Sequence, residues 1–76
     1  MKTQHIKDTI NKLGEVYHIH ISASPKYFCN TLLGWQFNVI SFNESIKSEM
    51  NMLEKYNTKE EALRAGVNHV FEILGL

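Results

Sequence analysis

One cysteine, one proline, one arginine and no long apolar run mark this 76-residue chain. With Cys29 alone, no disulfide can close within the chain, and one copy cannot assemble a thiolate zinc cluster. That fits a reducing compartment, and a cytoplasmic location is expected. The N-terminal MKTQHIKDTI has no apolar h-region, and no stretch approaches the roughly 18 residues that span a bilayer, so neither a signal peptide nor membrane association is expected. Arg64 is the only arginine, which nearly removes bidentate forks for phosphate, guanine or carboxylate. Lys+Arg and Asp+Glu balance at 8 each, and without a positive field a nucleic-acid partner is disfavoured. The four glycines are isolated from one another, so no glycine-rich phosphate loop exists.

What is present is a pattern of short periodic segments within a single domain, residues 1–76, near the lower size limit for a chain folding around one core. Ile6, Ile10 and Leu13 recur at helical spacing, with Thr3 placed to cap the start and Gly14 to end the helix. EVYHIHISA, residues 15–23, alternates: Tyr17, Ile19 and Ile21 point one way, Val16, His18, His20 and Ser22 the other, as in a half-buried strand. Pro25 then marks a loop, followed by KYFCNTLLG, too apolar for a solvated loop and read as an irregular edge strand or a contact surface. WQFNVISF, residues 35–42, alternates again with Trp35, Phe37 and Val39 on one face, before a turn at Asn43.

Residues 45–56 fit helical spacing through Ile46, Met50, Leu53 and Tyr56, or a strand with Met50 and Met52 on one face; the strand is preferred. Thr58-Lys59-Glu60-Glu61 is a capping box, with Thr58 bonding the amide three residues on and Glu61 reaching back. The helix it opens carries Leu63, Val67, Val70, Phe71 and Leu74 as its apolar stripe, widened by Ala62, Gly66 and Ile73. Arg64, Asn68 and Glu72 face water, and Gly75 ends the helix. A glycine inside a helix is unfavourable by up to ~1 kcal/mol relative to alanine, so Gly66 is expected to admit a close approach. The predicted architecture is α+β: a small three-stranded antiparallel sheet with an N-terminal and a C-terminal helix on one face, in the order α-β-β-β-α.

Few residues present themselves for chemistry. His18 and His20, about 6.6 Å apart along a strand, could both reach one ion. Two ligands do not make a site, and the pair is read as the polar side of a half-exposed strand, so no metal and no cofactor is expected. Cys29 has no flanking signature of a nucleophile and is read as a small buried hydrophobe. No carboxylate pair is implied by spacing, and an enzyme is not expected. Tyr27, Phe28, Trp35 and Phe37 could stack on bases, but only Lys26 is adjacent to track a backbone.

The ending YNTKEEALRAGVNHVFEIL, residues 56–74, resembles the final strand and helix of many small uncharacterised bacterial and phage proteins. In those, an aromatic and T-x-E-E-A-L-x-A-G open a closing helix; Tyr56, Thr58, Glu60, Glu61, Ala62, Leu63, Ala65 and Gly66 match here. Gly34 to Val39, G-W-x-F-x-V, is similar to their central strand. More distantly the chain resembles the HicB-type antitoxins, sheet-and-helix proteins that neutralise an RNA-cleaving toxin, from which it departs in its N-terminal helix and in carrying no appended DNA-binding segment. The resemblance implies that residues 47–56 form a strand and that catalysis is absent.

The expectation for function is a non-enzymatic interaction or regulatory module, a homodimer that binds a protein partner through Tyr27, Phe28, Leu32 and Leu33. The alternative is a nucleic-acid-associated protein with a helix-sheet-helix arrangement similar to double-stranded RNA binding domains.

Overall fold

The structure, a computed structural model, describes residues 3–50 and 55–75, without the side chains of Thr3 and Gln4. The side-chain cap expected at Thr3, the strand position of Met52 and the helical-spacing position of Leu53 lie outside the described residues. The chain forms α1 (Thr3–Tyr17), β1 (Ile19–Phe28), β2 (Thr31–Ser41), β3 (Glu49–Met50) and α2 (Lys59–Leu74). The α+β architecture read from the sequence is the observed one. The strands form an antiparallel sheet in the order β1-β2-β3, with α2 against β1 and β2 and α1 against β1 and α2.

α1 runs three residues past Gly14, which is a correction: Gly14 lies inside the helix, and residues 15–17 are not strand. Tyr17 continues the stripe of Ile6, Ile10 and Leu13 by another i, i+4 step, and it packs on the core. The left-handed residue that ends the helix is His18, at φ 58. Asn43 closes the end by donating from Nδ2 to the Tyr17 carbonyl at 3.2 Å.

β1 and β2 form one long hairpin, also longer than the sequence pattern implied. Ile19 pairs with Ser41 at one end and Phe28 with Thr31 at the other. Pro25, read as a loop marker, is a strand residue opposite Trp35. The ladder explains why it is tolerated there. Trp35 exchanges both backbone hydrogen bonds with Tyr56 on its other side, at 2.8 and 2.9 Å, so it asks for no donor from Pro25. In an antiparallel ladder the nitrogen of Pro25 then faces the open edge of β1, where a missing N–H leaves nothing unpaired.

Asn43 makes the expected turn, its side chain accepting from the Ser45 amide at 2.9 Å and its carbonyl from the Ile46 amide at 3.1 Å. β3 follows, with Glu49 opposite Val39 and Met50 opposite Asn38. Tyr56 rejoins β2 at the Trp35 bridge, so both described ends of the 47–56 stretch lie beside β2 in extended pairing.

Thr58, at φ −134 and ψ 158, caps α2 by accepting from the Glu61 amide at 3.1 Å. Glu61 reaches back to the Asn57 amide at 3.3 Å, one residue earlier than a standard capping box would have it. Arg64 does not simply face water: it pairs with Glu60 at 3.1 Å. Ala62, Gly66, Val67 and Val70 bury against Ile19, Ile21, Phe37 and Val39. Ile73 is exposed rather than part of the stripe. Gly66 is the contact that sets the spacing, since a Cβ there would lie 2.8 Å from Ile21 Cγ2 and 3.1 Å from Phe37 Cβ.

Candidate interaction surface

The far end of the β1–β2 hairpin projects beyond the helix layer, and the molecule is 39 Å long against 17 Å in its thinnest dimension. Ala23 and Trp35 are the last residues toward the tip that pack on the core. Beyond them Tyr27, Phe28, Leu32 and Leu33 are 64, 68, 48 and 48% exposed. Single exposed apolar side chains are ordinary on any surface, but four large ones gathered on one tip are not.

Local backbone chemistry builds this tip. Cys29 and Asn30 both have positive φ, 50 and 66, as the two central residues of a two-residue type I′ hairpin require. Asparagine accepts that conformation readily and cysteine does not. Cys29 is therefore an exposed turn residue, and its reading as a buried hydrophobe is corrected. The pairing shifts between Lys26, opposite Gly34, and Tyr27, opposite Leu32, leaving Leu33 as the extra residue of a β-bulge. Gly34, at φ 155, is buried at the base of the arm, where a Cβ would meet the Tyr56 carbonyl oxygen at 2.9 Å and Lys55 Cβ at 3.2 Å. The bulge and this close approach fix where the arm leaves the body.

Alternation along β1 carries Tyr27 to the helix side of the sheet, with Ile19 and Ile21, and Phe28 to the opposite side. Leu32 stands across from Tyr27, and Thr31 across from Phe28. The tip is apolar on both faces.

The sheet face opposite the helices is different. Gln36 and Asn38 are both 8% exposed there, joined by Gln36 Nε2 donating to Asn38 Oδ1 at 2.9 Å. Asn38 Nδ2 in turn donates to Ser24 Oγ at 2.7 Å and lies 3.4 Å from Ser22 Oγ. Ile40, Phe42 and Met50 are exposed on the same face, and His20 meets Phe42 edge-on at 5.8 Å between ring centres. The sequence reading missed this polar cluster, although S-x-S in β1 and Q-x-N in β2 at strand spacing are its signal.

His18 and His20 do not share a strand face as the sequence suggested. The left-handed backbone of His18 places it at the helix-to-strand junction, where its carbonyl accepts from the Phe42 amide at 2.9 Å, while His20 belongs to β1. Among the described residues no three His, Cys, Asp or Glu side chains gather as a metal site would need. His69, half-buried on α2, lies over Phe37 at 5.5 Å between ring centres, and its Nε2 contacts Glu49 Oε1, tying α2 to the edge strand. Nothing in the sequence spacing pointed to that tie. Among the described residues no helix is long and apolar enough to cross a membrane.

Comparison with protein-family models, with curated proteins and with solved structures found no match to this chain.

Proposed function

We propose that the chain is a non-enzymatic interaction or regulatory module that binds a protein partner through the tip of its β1–β2 hairpin. The observation that carries this reading is the exposure of Tyr27, Phe28, Leu32 and Leu33 together at the end of an arm whose base is fixed by Gly34. Apolar side chains held out of the core lower no free energy until another surface covers them. Aromatic anchors of this type carry much of the affinity at protein interfaces. The test is co-purification from native host lysate with an untagged bait. A protein recovered in stoichiometric amount by the wild type and lost on the double replacement Tyr27→Ser, Phe28→Ser, in a variant with unchanged circular dichroism, supports the reading. Equal recovery by both baits refutes it.

The element order α-β-β-β-α favours a second reading, a nucleic-acid-associated protein that uses helices and hairpin together. Charge opposes it. The N-terminus of α2, where a phosphate would find free amides, carries Glu60 and Glu61 in its first turn, and the chain has no net positive charge. Salt-dependent binding of double-stranded RNA at low ionic strength would establish this second reading; its absence removes it.

A further inference from the structure

We draw no further inference here: the strongest candidate, the exposed apolar patch of Ile40, Phe42 and Met50 on the sheet face opposite the helices, carries nothing because nothing in the structure shows what covers it.

Discussion

Gly66 of α2 faces Ile21 of β1 with no room between them for a methyl group: a Cβ on Gly66 would stand 2.8 Å from Ile21 Cγ2. Phe37 closes the same gap from β2 at 3.1 Å. The glycine therefore sets how deeply the helix settles onto the hairpin, and the hairpin is what carries the exposed tip.

Replacing Gly66 tests this packing. Alanine gains up to ~1 kcal/mol in helix propensity but overpacks the interface, which is unfavourable by about 1–3 kcal/mol. Overpacking should win for Gly66→Ala, and Gly66→Leu should lose considerably more. Urea unfolding reads the result; a G66A variant as stable as the wild type would mean that α2 can shift outward freely.

Gly34 should tolerate substitution no better. Its φ of 155 opposes any side chain, and so does the Tyr56 carbonyl oxygen, 2.9 Å from where a Cβ would stand. Gly34→Ala is expected to destabilise by about 1–3 kcal/mol and to break the Trp35–Tyr56 bridge. Amide exchange at Trp35 and Tyr56 should accelerate more than at Ser22, whose amide faces β2 across from Asn38; uniform exchange would show that the bridge survives.

The turn offers the opposite sign. Cys29 and Asn30 occupy left-handed positions that Asn-Gly fills with less strain. The double replacement Cys29→Asn, Asn30→Gly should stabilise the fold by about 0.5–1 kcal/mol and raise Tm by several degrees. A lower Tm would show that the two-residue turn is not the one formed in solution.

These three sites also separate what was legible in the sequence from what was not. Alternation exposed Ile19, Ile21, Phe37 and Val39 as one face because that face is buried, and Thr58, Gly66 and Gly75 were legible because capping and close approach demand particular residue types. The end of α1 was not, since Leu13 to Tyr17 fits both a helical step and the alternation of the next strand, and the glycine that looked like a stop lies inside the helix. Pro25 misled because its effect depends on which side of the strand is bonded, a property of the pairing with Trp35 and not of local sequence. The candidate contact residues were legible by composition alone. Alternation along β1 puts Tyr27 and Phe28 on opposite faces, but that Leu32 stands across from Tyr27 depends on the Leu33 bulge, which only the register of the hairpin defines.

The buried amide pair on the open sheet face should matter for stability. Asn38→Ala removes the acceptor of Gln36 Nε2 and the donor to Ser24 Oγ together. Leaving these groups without partners in a nearly buried site should destabilise by about 1–3 kcal/mol. Chemical denaturation checks it, and a neutral effect would show that water replaces both bonds.

The tip should contribute to binding and not to folding. Tyr27 and Phe28 lie beyond the core, so their replacement by serine should change the unfolding free energy by no more than about 0.5 kcal/mol. A loss near that of Gly66→Leu would mean that the arm packs against the body.

The most direct measurement compares three untagged baits in native host lysate: the wild type, the Tyr27→Ser, Phe28→Ser variant, and a control variant, Val16→Ser, Ile73→Ser, altered at exposed apolar positions on the two helices. The expected result is one stoichiometric protein partner held by the wild type and the control and lost by the tip variant. Loss by the control with retention by the tip variant would place the contact on the helices and contradict the assignment to the hairpin.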